Sequence, residues 1–309
     1  MVALAVGDKA RKATFTLIVM LLGLYAWGCA LSSAGESKDA DAVKVSDLKK
    51  GPTLDVPYEP TSYEIAEEML RMAGVKKDDL VYDLGCGDGR IVIMAAKERG
   101  ARGIGVDLDP QRIKESVVNA KKAGVTNKVR FLNQDLFKTD FRDATVMMLY
   151  LWPEVNLKLR PKLLSELKPG TRVVSHSHTM GDWNPDAKSQ VSNHNLYFWV
   201  IPSNVTGTWT WIMPSEDGRA HDATLRLTQR YQEVTGDITL DGALLPISEI
   251  SLRGDHFRFA VETPTDGQKE CIRFDGRVEG DRLAGNVEQT EGGVLKETRW
   301  DAARGPKQP

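Results

Sequence analysis

Cysteine, histidine and surplus basic charge are all scarce in this sequence of 309 residues. The three cysteines, Cys29, Cys86 and Cys271, lie far apart and form neither a disulfide framework nor a zinc-binding pattern. His176 and His178 are candidates for a base or a metal ligand, but no third ligand is evident, so no metal site is predicted. Arginine and lysine (41) do not outnumber aspartate and glutamate (43), so the net charge of −2 excludes an obvious nucleic-acid partner.

Glycine, in contrast, is concentrated between residues 83 and 89, which read Asp-Leu-Gly-Cys-Gly-Asp-Gly. An apolar strand at Leu80–Leu84 precedes this turn, and strong helix formers follow it from Arg90. A second short strand, Gly103–Asp107, ends in a carboxylate. Glycines let the backbone approach a ligand closely, and the acid at the strand's tip can accept both hydroxyls of a ribose. The unit therefore predicts a nucleoside-binding site.

The spacing of the glycines argues against a dinucleotide. The pattern G-x-G-x-x-G fails because Arg90 stands where the last glycine is required. Asp83 and Asp88 flank the loop and would repel a pyrophosphate, whereas they would attract a cofactor with an ammonium and a sulfonium, such as S-adenosylmethionine (SAM). The segment resembles the first motif, D-x-G-x-G-x-G, of the class I SAM-dependent methyltransferases. The motif positions are occupied by Asp83, Gly85, Gly87 and Gly89.

Strand and helix patterns alternate through residues 53–202, which predicts a doubly wound, mostly parallel sheet with ligands at the carboxyl ends of its strands. From residue 203 to 309 the pattern changes to short alternating segments separated by tight turns. The change predicts a separate all-β domain, an antiparallel meander of about eight strands that forms a small barrel or a curled sheet.

Three further segments narrow the resemblance. Tyr58–Glu64, Pro153–Arg160 and Trp183–Asp186 are similar to the non-SET protein-lysine methyltransferases. The similarity is greater to the small lysine methyltransferases of mitochondrial membrane proteins and their bacterial relatives than to the histone enzymes, and it covers roughly residues 55–201. It implies a protein acceptor, with a membrane-associated protein as one option, that is methylated on a lysine ε-amine. At residues 150–152 the chain has Tyr-Leu-Trp where the histone enzymes have a pair of asparagines.

The resemblance also implies roles for single residues. Asp135, which follows the third strand, is expected to meet the adenine amine, although a turn-forming aspartate would fit the same place. Thr61 is expected beside the cofactor. Tyr58, Tyr150 and Trp152 are predicted to line an aromatic, water-poor cleft that favours the neutral form of a lysine amine. Core aromatics are the alternative interpretation of these three.

The N-terminus carries a different signal. Lys9, Arg11 and Lys12 precede an apolar run of about eighteen residues at 13–30, which predicts a signal peptide or membrane anchor within residues 1–31. Ala26–Cys29 resembles a bacterial lipoprotein cleavage site imperfectly, and residues 32–52 are predicted to be a linker. The basic flank favours export, whereas use of SAM requires the cytosolic face.

Two other functions fit the same motifs. A small molecule or a lipid could be the methyl acceptor in place of a protein. A membrane-tethered binding protein could retain the methyltransferase fold without turnover and bind an apolar ligand in its barrel.

Overall fold

The computed structural model describes residues 59–214, 220–265, 268–291 and 294–306. The N-terminal apolar run, the predicted linker and Tyr58 lie outside the described residues. Among the residues described, no helix is both long and apolar enough to cross a bilayer.

The first part of the described chain is a seven-stranded sheet with helices on both faces. Its helices are α1 (Tyr63–Met72), α2 (Arg90–Glu98), α3 (Pro110–Ala123) and α4 (Pro153–Glu166). Its strands are β1 (Leu80–Leu84), β2 (Arg102–Asp107), β3 (Val129–Asn133), β4 (Val146–Leu149), β5 (Arg172–His176), β6 (Ala187–Val191) and β7 (His194–Val200). The strand order is β3-β2-β1-β4-β5-β7-β6. The predicted doubly wound sheet is therefore confirmed.

The hairpin β6–β7 is absent from the sequence-based prediction. Both of its strands are antiparallel to their neighbours, β7 to β5 and β6 to β7. None of the residues of β6 is buried, and its sequence Ala-Lys-Ser-Gln-Val lacks a clear alternation of apolar and polar residues. The sequence pattern therefore does not reveal this edge strand. The hairpin extends the parallel part of the sheet and places His194 beside the end of β5.

The pattern Thr61-x-x-Glu64 has the form of a capping box and predicts Thr61 as the N-cap of α1, but the structure differs. Ser62 is the N-cap, and its hydroxyl accepts a hydrogen bond from the backbone N–H of Ile65 at 3.3 Å. Thr61 is consequently free of a capping role and is buried near β5. The pair Asp109-Pro110 predicts a cap and a first helical residue for α3. The structure confirms both, since Asp109 accepts from the backbone of Gln111 and Pro110 occupies the first turn.

The C-terminal part is a closed antiparallel barrel of eight strands, as the meander pattern predicted. The strands are β8 (Gly207–Pro214), β9 (Ala220–Arg230), β10 (Glu233–Leu240), β11 (Ala243–Arg253), β12 (His256–Thr265), β13 (Gln268–Glu279), β14 (Arg282–Glu291) and β15 (Val294–Arg304). The barrel closes through the pairing of β15 with β8.

Aromatic rings fill the interior of the barrel. Phe259 and Phe274 stack with ring centroids 4.5 Å apart, and Trp300 packs edge-on against both rings. Trp209 and Phe257 are fully buried in the same cluster. These contacts resemble an ordinary hydrophobic core, and they give no support to an apolar ligand inside the barrel.

The sheet and the barrel belong to one compact unit and contact each other through specific side chains. The indole N–H of Trp183 donates to the Oε1 atom of Gln232 at 2.7 Å, and its ring stacks on Tyr231 at 5.8 Å. Asp182 accepts from the hydroxyl of Tyr231 at 3.1 Å and forms ion pairs with Arg160 on α4 and with Arg230 on β9. The domain boundary near residue 202 remains a prediction.

Candidate functional site

The loop between β1 and α2 depends on glycine for its shape. Gly85, Gly87 and Gly89 have φ angles of 81°, 53° and 79°, which is left-handed backbone that favours glycine. A Cβ atom at Gly89 would lie 2.6 Å from the ring of Phe131, because the loop is pressed against β3. The loop thus turns sharply and leaves its backbone accessible on the other side.

Asp107, at the tip of β2, holds this loop in place. Its Oδ2 atom accepts a hydrogen bond from the backbone N–H of Gly87 at 2.8 Å, and its Oδ1 atom accepts from the backbone of Asp109 at 2.9 Å. Burial raises the pKa of the Asp107 carboxyl, which the two backbone bonds partly offset. Each carboxylate oxygen retains a second lone pair that can accept a ligand hydroxyl.

A cavity of about 290 Å³ lies at the carboxyl ends of β1, β2 and β4. Its lining includes most of the residues that the sequence predicted for cofactor binding: Thr61, Asp83, Gly85, Gly87, Asp88, Asp107 and Asp135. Gly89 supports the loop from behind, against Phe131. The structure therefore gathers the predicted cofactor residues around one space.

The charges around this cavity suit a cationic ligand. Burial, together with Asp107 and Asp88, raises the pKa of Asp83 to about 8. Burial alone would raise the pKa of Asp88, but the pairing with Arg90 holds it below its usual range. The Arg90 Nη2 and Asp88 Oδ2 atoms are 2.7 Å apart. Asp83 is thus a carboxyl group that a nearby positive charge would ionise. The ammonium and sulfonium of SAM carry such charge, so the residues present fit this cofactor.

The far end of the cavity is more apolar and suits a purine. Leu108, Leu136 and Phe137 line it. Asp135 accepts a hydrogen bond from the backbone of Phe137 at 2.9 Å and so caps the short 3-10 turn Leu136–Lys138. The turn-forming role of Asp135 is therefore present, and its contact with an adenine amine stays a prediction.

A second cavity, of about 340 Å³, adjoins the first. The two share Glu59, Tyr150, Leu151 and Val155 as lining residues. Trp152, Ser177 and His178 line the second cavity alone, and we call this second cavity the aromatic mouth.

Tyr150 and Trp152, two of the predicted catalytic residues, both line the aromatic mouth. The imidazole of His178 stacks with the ring of Tyr150 at 6.4 Å and with that of Trp152 at 6.3 Å. Trp152 is 51% exposed, so it is a surface residue and not the core aromatic of the alternative interpretation. Burial and the nearby Glu59 raise the pKa of Tyr150, which keeps its phenol protonated at neutral pH.

His176 is buried behind Tyr150, with ring centroids 3.9 Å apart. Its Nδ1 atom lies 3.1 Å from the hydroxyl of Thr61, and its Nε2 atom lies 3.0 Å from Nδ1 of His194. Burial lowers the pKa of His176 to about 4, with His194 and His178 adding to the effect, so the ring is neutral at physiological pH. No sequence pattern singles out His194, because only the unpredicted hairpin brings it to β5.

The thiol of Cys86, in the glycine loop, is not placed to act as a nucleophile. Cys86 is buried in the loop, and burial raises the pKa of its thiol well above the usual range. Within the described parts of the chain, no three His, Cys, Asp or Glu side chains are grouped so that they could hold a metal ion.

Comparison with known proteins finds relatives of the part of the chain that contains this site. Residues 83–187 match the family model of the ANTKMT methyltransferase domain. A protein-lysine N-methyltransferase of Saccharolobus islandicus is 45% identical over 151 residues, which cover 47% of this chain and 94% of that protein. The adenine nucleotide translocase lysine N-methyltransferase of Mus musculus is 36% identical over 135 residues, and the match spans 43% of this chain and 58% of the mouse protein.

Among solved structures, the RNA methyltransferase of Salinibacter ruber in complex with S-adenosyl-L-homocysteine is 48% identical. The match covers 48% of this chain and 96% of that one, with a TM-score of 0.47. The ANTKMT family model ends before β7, so the barrel lies outside it. Since the match to the Saccharolobus protein extends over nearly its whole length, the chain belongs to the protein-lysine N-methyltransferases, a family of class I enzymes that use SAM.

Proposed function

We propose that this protein methylates a lysine ε-amine of a protein substrate and that the lysine enters through the aromatic mouth. The observation that carries the proposal is the adjacency of the two cavities, which share Glu59 and Tyr150. A ligand in the first cavity and a side chain in the second would therefore meet at these residues. A long, unbranched side chain with a terminal amine suits such an entrance.

The residues of the mouth suit the chemistry of an amine acceptor. When bound, SAM supplies a methyl group already activated by its sulfonium, so the protein's task is to orient the acceptor and exclude water. The carboxylate of Glu59 would attract an approaching ammonium. The rings of Tyr150 and Trp152 would then favour the neutral amine, because an apolar surrounding disfavours the charged form.

We further propose that the enzyme works at a membrane surface, on the side that contains SAM. The apolar run at residues 13–30 supports an N-terminal anchor. Exposed apolar side chains near the mouth, Trp152 and Leu157 at the start of α4, suit an apolar surface on the substrate. The test is the distribution of the protein between membrane and soluble fractions, with and without residues 1–31. An equal distribution of the two forms would contradict the anchor.

The acceptor is tested directly. Purified protein is incubated with methyl-labelled SAM and with membrane and soluble extracts, and label is measured separately in protein, lipid and small metabolites. We expect labelled lysines, found by mass spectrometry. Label should be lost with Asp107→Ala, which removes the predicted ribose contact, and reduced with Trp152→Ala. Label in lipid or a metabolite alone would replace the lysine proposal with the corresponding alternative.

A further inference from the structure

A chain of polar side chains connects the wall of the cofactor cavity with the β6–β7 hairpin. It runs from the hydroxyl of Thr61 to Nδ1 of His176 at 3.1 Å, and from Nε2 of His176 to Nδ1 of His194 at 3.0 Å. Thr61 lines the cavity, His176 is only 1% exposed, and His194 is half-buried at the start of β7. This series of hydrogen bonds therefore leads from the cofactor cavity, past the end of β5, to the half-buried start of β7.

We propose that Thr61, His176 and His194 form a proton relay that carries away the proton which the substrate's ammonium must lose before methyl transfer. The inference rests on the proposed lysine acceptor. A protein substrate seated over the aromatic mouth would obstruct exchange of this proton with bulk water. The relay ends at His194, a half-buried residue of the hairpin that lines neither cavity.

The hydrogen bonds permit the relay in atomic detail. The N–H bond of the ammonium breaks and its proton passes to the Thr61 oxygen, whose own proton passes to Nδ1 of His176. His176 gives the proton on Nε2 to Nδ1 of His194, which releases its Nε2 proton to solvent. Each ring accepts one proton and loses one, so each returns neutral in its other tautomer. The amine keeps its lone pair for the attack on the methyl group.

The surroundings of His176 suit a ring that transfers a proton and remains neutral. The ring of Tyr150, which follows β4, packs against that of His176 at a tilt of 30°, and His178 lies on the turn that follows β5. Two carboxylates on α1 accept hydrogen bonds from the hairpin, Glu64 from Ser192 and Glu68 from Ser189. Ser177, which follows His176, has a φ angle of 64° and places its hydroxyl 3.3 Å from Nδ1 of His194. This left-handed conformation is unfavourable for serine and fixes the turn at which the two histidines meet.

Substitutions can interrupt the relay while they preserve its hydrogen bonds. The amide of His194→Asn can occupy the position of Nδ1 and bond to His176, but it cannot exchange tautomers. Thr61→Val removes the hydroxyl at nearly constant volume, whereas Thr61→Ser retains it. His221→Gln is a matched control, because His221 lies on the barrel and pairs with Asp241.

The experiment uses the full-length chain and two peptide probes of one lysine-containing sequence. The second probe carries S-aminoethylcysteine in place of lysine, because its amine loses a proton at lower pH. With the lysine probe near pH 7, His194→Asn and Thr61→Val should lower kcat roughly tenfold or more, since acid–base groups typically contribute about 10²- to 10⁴-fold. SAM affinity should change less than twofold with His194→Asn, because His194 does not line the cofactor cavity. The defect should shrink as pH rises and with the S-aminoethylcysteine probe. Thr61→Ser should recover part of the rate that Thr61→Val loses, and His221→Gln should stay near wild type.

A defect of equal size at all pH values and with both probes would overturn the relay, since a purely structural role predicts that result. A wild-type enzyme that methylates neither probe would count against the lysine proposal. In that case, ¹⁵N NMR of the imidazoles still tests the chain of bonds. Thr61→Val should shift the tautomer signals of both His176 and His194, and an unchanged His194 would overturn the relay.

Discussion

The carboxylate of Asp107 accepts a hydrogen bond from the backbone of Gly87 at 2.8 Å and so connects the tip of β2 to the glycine loop. We predict that the same side chain receives the ribose hydroxyls of SAM. We expect Asp107→Ala to weaken SAM binding by about 1.5–3 kcal/mol, because a charge-assisted pair of hydrogen bonds is lost. Titration calorimetry on the folded variant measures the effect. Unchanged affinity would contradict the placement of the ribose.

The affinity for SAM should depend on the ionisation of Asp83. The folded, cofactor-free protein holds the pKa of this group at about 8, far above its value in the unfolded chain. A bound cation favours the carboxylate, so binding near pH 7 should release a proton, and affinity should rise with pH until it levels off above about 8. Calorimetry in buffers of different ionisation enthalpy measures the release. Asp83→Asn should abolish it.

The same shift has a consequence for folding. Because the cofactor-free folded state retains a proton that the unfolded state loses, the contribution of Asp83 to stability is full below about pH 4 and decreases as pH rises toward 8. Asp83→Asn should therefore stabilise the cofactor-free protein relative to wild type more at pH 8 than at pH 5. Thermal unfolding at the two pH values tests this. An equal effect at both values would show that Asp83 is already ionised.

Most of the residues that the sequence predicted for the cofactor line one cavity, for a physical reason. The cavity depends on the backbone conformation of the glycine loop, at Gly85 and Gly87, and on the end of β2, at Asp107. The loop and the strand end lie within about 25 neighbouring residues of the sequence. Contacts between residues that are distant in the sequence cannot be predicted from a local motif of this kind. His194 meets His176 only through antiparallel pairing of β7 with β5, and β6, which completes the hairpin, is too polar to be recognised as a strand.

Local competition explains the error at α1. Thr61 and Ser62 both precede the helix and both have a hydroxyl that can cap it. The choice between them is settled by β5, since His176 bonds to Thr61 and leaves Ser62 for the cap. A sequence pattern contains no information on that partner.

The glycine at position 89 should be needed for packing as well as for backbone conformation. Gly89→Ala places a methyl group 2.6 Å from Phe131, whereas Gly124, with a similar φ angle of 72°, has open space around it. Both changes carry the strain of a left-handed alanine, about 1 kcal/mol, but only Gly89→Ala adds overpacking of about 1–3 kcal/mol. Chemical denaturation of the two variants separates the contributions. Equal losses would show that Phe131 moves aside freely.

The contact between sheet and barrel should stabilise both parts. Without the barrel, the fully buried Trp183 would lose Tyr231 and Gln232 as partners. A chain that ends at Pro202 is still expected to keep its SAM affinity, since none of the barrel residues that the structure describes lines the cofactor cavity, but to unfold at a lower temperature. In the full-length chain, Gln232→Ala should give a smaller decrease, near 1 kcal/mol, through the loss of one hydrogen bond. Loss of SAM binding by the folded shorter chain would contradict the boundary.

The two adjoining cavities should separate cofactor binding from acceptor binding. Phe137 lines only the cofactor cavity and Trp152 only the aromatic mouth. Phe137→Ala should therefore weaken SAM binding, by about 1–3 kcal/mol of lost apolar contact, with little change in the acceptor's KM at saturating SAM.

Trp152→Ala should leave SAM affinity within a factor of about two and lower kcat/KM for the lysine acceptor by tenfold or more, because the exposed indole would contact the acceptor alone. Steady-state kinetics with SAM and acceptor varied in turn, together with calorimetry for SAM, distinguish the two effects. If Trp152→Ala instead weakens SAM binding and spares the acceptor's KM, the mouth is part of the cofactor site and the acceptor must enter elsewhere.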